Sequence, residues 1–101
     1  MATNDTILRR VVVVAHAPLG LHVRPATAFV KTARRFHCTV AVFRGEKRAN
    51  GLSPFDLLSL VAEPGTELVL EVEGADAEAA LEALTAVLCS PGTADAVPPG
   101  H

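Results

Sequence analysis

The sequence contains no tryptophan and no tyrosine, and four phenylalanines are its only large aromatic side chains in 101 residues. Because half of the residues are hydrophobic, the core has to be built from aliphatic side chains, chiefly valine, leucine and alanine. No apolar run approaches the roughly 18 residues that a membrane-spanning helix needs, and the N-terminal segment lacks an apolar stretch of signal-peptide length. These absences predict one soluble cytoplasmic domain, because a chain of this length is too short for two cores.

Cysteine is also scarce. Cys38 and Cys89 form neither a metal-ligand spacing nor a disulfide framework, and both stand in apolar patterns, which favours small core or edge residues. The histidines and Cys38 have no recognised zinc-ligand spacing, and no glycine-rich phosphate loop is present. Nucleic-acid binding would need aromatic platforms beside basic groups, but Phe29 and Phe36 fall on an apolar helical stripe. The sequence therefore predicts no metal, no cofactor and no nucleic-acid partner.

Basic residues are missing from the second half of the chain. Residues 1–50 carry nine basic and two acidic groups, whereas residues 51–101 carry nine acidic and no basic groups. Such a split predicts one positive and one negative face if the two halves stay apart in the fold. If the fold interleaves the halves, the same charges form an ordinary mixed surface. The sequence leaves both arrangements open.

Hydrophobic periodicity predicts seven elements in the order β-α-β-β-α-β-α. The strands are predicted over 7–15, 38–43, 46–50 and 66–73, and the helices from Pro25 to about Phe36, after Ser53 and after Asp76. Four strands, with one polar strand face, indicate an α+β open-faced sandwich whose helices lie on one side. The domain is expected over 7–89, between a flexible N-terminus at 1–6 and a disordered, proline-rich tail at 90–101.

His22 lies at the start of the first predicted helix, in the segment GLHVRPAT. The first N–H groups of a helix have no intrahelical acceptor, and the helix dipole is positive there. A phosphate on the imidazole would meet the N–H groups of Val23 and Arg24 and the guanidinium of Arg24. No carboxylate close in sequence orients the ring, so the pattern favours a phosphoryl acceptor over a general base. A turn histidine without chemistry is the open alternative.

Three segments together resemble a known family. The segment GLHVRPATAFVKTARRF is similar to the active-site segment of the HPr family, the phosphocarriers of the bacterial phosphoenolpyruvate:sugar phosphotransferase system. ANGLSPFDLLSLVAEPG resembles the family's second signature, and LEVEGADAEAALEAL resembles its last strand and helix. The resemblance covers about residues 7–89 in family order. Leu19 departs from the pattern, because many members have a small polar residue three positions before the histidine.

The resemblance implies a four-stranded antiparallel sheet in the order 1-4-2-3, covered on one face by three helices. It implies a phosphocarrier rather than a turnover enzyme, in which His22 accepts phosphate on Nδ1 from phospho-enzyme I and Arg24 stabilises it. A histidine of an EIIA-type domain would receive the phosphate from this monomeric, cytoplasmic carrier, which does not insert into membranes. The implied docking surface consists of Val23, Thr27, Lys31, Arg34, Phe55 and Leu58.

Ser53 matches the position at which some family members are phosphorylated by an HPr kinase/phosphorylase. It is also a suitable N-cap for the second helix, with Pro54 at the first helical position. The two roles are compatible, although Pro54 replaces the aliphatic residue that usually follows the serine. Two other hypotheses for the whole chain stay open. One is a regulatory module whose phosphorylation state controls a kinase, transcription or nitrogen and carbon metabolism, and the other is a ferredoxin-like small-molecule-binding domain in which His22 is incidental.

Overall fold

A four-stranded sheet carries three helices in the computed structural model, which describes residues 6–15 and 20–89. The elements in chain order are β1 Thr6–Val13, α1 Val23–Ala33, β2 Thr39–Arg44, β3 Lys47–Asn50, α2 Pro54–Leu58, β4 Glu67–Gly74 and α3 Ala77–Cys89. The strands lie in the order β1-β4-β2-β3, and all neighbours are antiparallel. The predicted fold class, element order and sheet order are confirmed.

Alternation along the strands separates a buried face of the sheet from an exposed one. On β4, the side chains of Leu68, Leu70 and Val72 are fully buried. The register places Leu68 beside Val12 of β1 and Val72 beside Val40 of β2, and these partners are buried as well. Because successive strand residues point to opposite faces, the aliphatic core lies entirely between this face and the helices.

Each helix covers the sheet with one apolar stripe. The buried residues of the helices are Pro25, Ala26, Phe29, Val30 and Ala33 of α1, Leu57 of α2, and Ala77, Ala80, Leu81, Leu84 and Leu88 of α3. These stripes agree with the predicted periodicity of three- and four-residue steps. The short α2 adds Leu60 to the core just beyond its end, whereas Phe55 on its first turn is 82% exposed.

The bounds of α1 differ from the predicted helix at both ends. It begins at Val23, two residues before Pro25, because the exposed first turn carries no apolar period by which it could be detected. It ends at Ala33, and Phe36 lies half-buried in the turn that follows. The earlier start makes His22 the residue that immediately precedes the helix.

The chain ends of the predicted domain are described only in part. Strand β1 begins at Thr6, one residue inside the segment that was predicted to be flexible. Residues 1–5 and the predicted tail at 90–101 lie outside the described residues, as does Leu19. The predictions for these segments therefore stay predictions.

Charges of the two halves of the chain mix within the sheet. Arg9 of β1 pairs with Glu71 of β4 at 3.4 Å, and Arg10 of β1 pairs with Glu82 of α3 at 2.8 Å. The acidic β4 lies between the two strands β1 and β2, which come from the basic half. Helix α1, by contrast, contains basic residues and no acidic one. The surface is therefore mixed along the sheet and positive along α1.

Both cysteines are free thiols at the margin of the core. Cys38 is half-buried, and this burial, together with the nearby Asp76 carboxylate, raises the pKa of its thiol. Cys89 is exposed, and its Sγ lies 3.7 Å from the carbonyl oxygen of Val13. These positions agree with the predicted edge residues.

Candidate functional site

His22 is the N-cap residue of α1. Its backbone is extended, with φ −110° and ψ −164°, and its carbonyl oxygen accepts the first helical hydrogen bond from Ala26 N–H at 2.9 Å. The imidazole makes no capping hydrogen bond to the helix. The half-buried ring therefore stands at the positive end of the helix dipole without being tied to the helix backbone.

Two backbone N–H groups at the start of α1 have no acceptor within residues 6–15 and 20–89. They belong to Val23 and Arg24, the first two residues of the helix. The third position is Pro25, which has no N–H to satisfy. An anion attached to the His22 ring would therefore meet a positive dipole and two N–H donors that no described residue engages, the usual elements of a phosphate site at a helix N-terminus.

The Arg24 side chain is exposed, and its guanidinium has no ion-pair partner in the described part of the chain. No acidic residue lies in the first turn of α1 that could compete for it. A guanidinium offers paired N–H donors that match phosphate oxygens. The Arg24 guanidinium is therefore available to an anion carried by His22, two residues before it in the sequence.

The loop before α1 is fixed against the segment that follows α2. Leu21 is buried, and its N–H donates to the carbonyl oxygen of Ala62 at 2.8 Å. Gly20 has φ +74° and lies so close to Ala62 and Glu63 that a β-carbon would clash with both. The N–H of His22 donates back to Gly20 O at 3.0 Å. These contacts hold His22 in place from its N-terminal side.

Helices α1 and α2 run in opposite directions along one surface. Leu21, before α1, meets Ala62, after α2, while Arg34 at the end of α1 donates to the Leu52 carbonyl oxygen before α2 at 3.4 Å. The surface between the two helices is the one on which the predicted docking residues lie. Its exposed members are Val23, Lys31, Arg34 and Phe55, and its half-buried members are Thr27 and Leu58.

Two further residues of this surface, Ala28 and Val61, were not predicted from the sequence. One is Ala28, an exposed residue that lines a shallow hollow of about 370 Å³ on α1 together with Val23, Arg24, Thr27 and Lys31. Val61 is 63% exposed and lies one residue before Ala62. Leu57 and Leu60 are three residues apart and form the buried stripe of this segment. Val61 falls outside that spacing, and this was the one sequence signal that could have marked it as exposed.

Ser53 is the N-cap of α2, as predicted. Its Oγ accepts from the backbone N–H of Asp56 at 3.3 Å, and Pro54 occupies the first helical position. The Asp56 carboxylate in turn accepts from Asn50 N–H at 3.0 Å. The serine hydroxyl is therefore engaged in a local hydrogen-bond network at the helix start.

The family model described as the PTS HPr component phosphorylation site matches residues 9–90 of this sequence. The chain belongs to the HPr family. The phosphocarrier protein HPr of Neisseria meningitidis serogroup A is 43% identical over 67 residues, which are 66% of this chain and 75% of that protein. The HPr-like protein Crh of Bacillus subtilis is 42% identical over 67 residues, or 66% of this chain and 79% of Crh.

The crystal structure of the phosphocarrier protein HPr from Bacillus anthracis has the same fold, with a TM-score of 0.76 and 36% identity. The likeness covers 81% of this chain and 96% of that one. HPr proteins are phosphocarriers, the phosphotransfer components of the phosphotransferase system. The predicted family is thereby confirmed for this chain.

The described residues contain neither a bilayer-spanning helix nor a metal-binding cluster. None of the helices there has the length and apolar character required to cross a bilayer. Nor do three or more His, Cys, Asp or Glu side chains in that part of the molecule cluster in a way that could hold a metal ion.

Proposed function

We propose that the protein carries a phosphoryl group on Nδ1 of His22, taken from phospho-enzyme I and passed to a histidine of an EIIA-type domain. The observation that supports this most is the His22 imidazole, which makes no capping hydrogen bond, at the N-cap of α1 beside two N–H groups that have no acceptor among the described residues. Membership of a phosphocarrier family agrees with it. The carrier would act in the cytoplasm as a monomer.

The transfer step needs a lone pair and an anion site, and both belong to this helix start. The Nδ1 lone pair of His22 attacks the phosphorus, and the N–P bond of the donor histidine breaks with its electrons staying on the donor ring. The Val23 and Arg24 N–H groups, with the Arg24 guanidinium, then meet the phosphoryl oxygens. Because these donors already lie at the helix start, little reorganisation accompanies the transfer.

The docking surface would be the area between α1 and α2 formed by Val23, Thr27, Lys31, Arg34, Phe55 and Leu58. Its α1 side is basic, and its apolar members include the strongly exposed Phe55. Such a surface suits a partner with an apolar patch ringed by acidic residues. A small interface of moderate affinity also suits a carrier, since it has to leave each partner after transfer.

Incubation with phosphoenolpyruvate and enzyme I, followed by intact-mass measurement, tests the proposal. The wild type is expected to gain one acid-labile phosphate, and His22→Ala none. Arg24→Ala should keep the fold and slow transfer, whereas Arg44→Ala, an exposed arginine at the end of β2, should transfer at the wild-type rate. A wild type that stays unmodified with an active enzyme I would contradict the carrier role.

A regulatory role for the same fold is the second candidate, and the similarity to Crh favours it. In that case the phosphorylation state of His22 would control a kinase, transcription or nitrogen and carbon metabolism rather than sugar uptake. Adding an EIIA-type domain to the phosphorylated protein separates the two. Loss of the phosphate to the domain supports the carrier, and its retention supports the regulatory module.

Phosphorylation of Ser53 by an HPr kinase/phosphorylase is proposed as a further control. The phosphate would disrupt the bond from Asp56 N–H to Oγ and place negative charge beside the Asp56 carboxylate. It would also add negative charge to a surface that faces acidic partners. Incubation with the kinase and ATP decides the matter, with Ser53→Ala as the control; an unmodified wild type would leave Ser53 as a helix cap alone.

A further inference from the structure

Val61 has a backbone conformation that suits its side chain poorly. Its φ is +52°, and it is the only residue other than glycine with a positive φ in the described part of the chain. In this left-handed region the β-carbon approaches the following carbonyl group, and a β-branched side chain adds to the crowding. Glycine adopts the same conformation without that strain. Val61 is therefore strained because of its side chain.

The buried residues on either side of Val61 hold its backbone in this conformation. Leu60 and Ala62 are buried, at 0% and 2% exposure. The N–H of Val61 donates to Leu58 O at 3.1 Å, and the next carbonyl oxygen, that of Ala62, accepts from Leu21 N–H at 2.8 Å. The left-handed Val61 thus follows the turn after α2, and the segment beyond it supports the loop before His22.

The Val61 side chain gains little from folding in return. It is 63% exposed, so most of its apolar surface stays in water. A residue that breaks a local rule without a gain in packing is a candidate for a functional role. The strained backbone and the exposed side chain of Val61 therefore indicate a contact with a partner protein.

We propose that Val61 is a specificity-determining contact for the phosphoryl donor, inserting its isopropyl group into an apolar hollow beside the donor's phosphohistidine. This inference rests on the proposed function. The phosphoryl group can pass to His22 only when the donor protein and the carrier are in contact around the His22 ring. Val61 adjoins Ala62, whose carbonyl oxygen accepts from the N–H of Leu21, the residue before His22, so Val61 belongs to the segment that packs against the His22 loop. Val23, the first residue of α1 after His22, is a second exposed apolar side chain, at 62%.

Three variants test the contact through initial rates of phosphorylation measured against carrier concentration. Val61→Gly keeps the left-handed turn and removes the side chain, so its denaturation midpoint should rise while the KM of enzyme I for the carrier rises about tenfold. Val61→Thr keeps the shape and the strain but replaces one methyl group by a hydroxyl, and its KM should rise about threefold with little change in midpoint. Val11→Thr is the matched control, because Val11 is 61% exposed on the opposite face of the sheet, and its KM should not change.

The expected pattern for the two Val61 variants is a higher KM with kcat unchanged, since the side chain contacts the partner and not the reacting atoms. A Val61→Gly protein with the wild-type KM overturns the inference even while wild-type phosphorylation upholds the proposed function. A lower midpoint for Val61→Gly also overturns it, because the strain would then be absent. A wild type that accepts no phosphate refutes the proposed function and the inference together.

Discussion

The α-carbon of Gly20 faces the carbonyl oxygen of Ala62 so closely that a β-carbon on Gly20 would clash with that oxygen. The two residues belong to the loops before α1 and after α2, and their contact sets the position of His22. Because Ala62 O also accepts from Leu21 N–H, neither loop can retreat without breaking a buried hydrogen bond. The site therefore depends on a backbone contact between two loops that are distant in sequence.

Gly20→Ala should lower the free energy of unfolding by about 3 kcal/mol, because the left-handed φ and the clash with Ala62 act together. Gly45→Ala is the matched control: its φ is +60° but no atom lies within 4 Å of an added β-carbon, so about 1 kcal/mol is expected. Urea denaturation of both variants measures the difference. Equal losses would show that the loops can move apart at little cost.

Ser53→Ala should lower the free energy of unfolding by about 1 kcal/mol, because the Asp56 N–H loses its side-chain acceptor. Ser53→Asn restores a capping oxygen and should be close to the wild type. Chemical denaturation of the two variants compares them directly. If alanine and asparagine behaved alike, the cap would not contribute to stability.

The ion pair between Arg10 and Glu82 should make stability depend on pH. The hydrogen bond from Arg10, followed by its charge, lowers the pKa of Glu82 below the ordinary glutamate value. Since the folded-state pKa is the lower one, the pair stabilises the fold above the unfolded-state pKa, and this contribution is lost as the pH falls through the folded-state pKa.

Glu82→Gln should therefore reduce the loss of stability on acidification in that acidic window, by a small amount because the pair is exposed to solvent. Thermal melting from neutral to acidic pH measures the effect. Glu78→Gln, a second exposed carboxylate on α3, serves as the control and should follow the wild-type profile. Identical profiles for the two variants would show that the pair does not contribute.

Cys38 should react slowly with iodoacetamide in the folded protein. Burial, and then the Asp76 charge, raise the pKa of the thiol, so less thiolate is present at a given pH. A Cys89→Ser background isolates the reaction of Cys38. Asp76→Asn keeps an oxygen acceptor for His37 N–H, which is bonded at 2.7 Å, and should speed alkylation slightly. Alkylation of the native protein as fast as of the urea-unfolded chain would contradict the assignment.

Local patterns were sufficient to predict most of the architecture. The steps from Ala26 to Ala33 predicted α1 and its buried face, and the alternation at Leu68, Leu70 and Val72 predicted a strand with one wet side. Both patterns depend on periods set by backbone geometry, 3.6 residues for a helix and two for a strand. The order β1-β4-β2-β3 came instead from the family resemblance, because periodicity does not specify which strands are neighbours.

The sequence by itself determined that His22 lies near the start of a helix and that Pro25 in its first turn lacks an N–H, since proline lacks that donor in any fold. It also determined the positive charge of α1. Only the tertiary structure decided that Ala62 supports the loop before His22 and that Val61 is exposed in a left-handed conformation. These features depend on how two loops about 40 residues apart in sequence pack together, and such packing leaves no periodic trace in either segment.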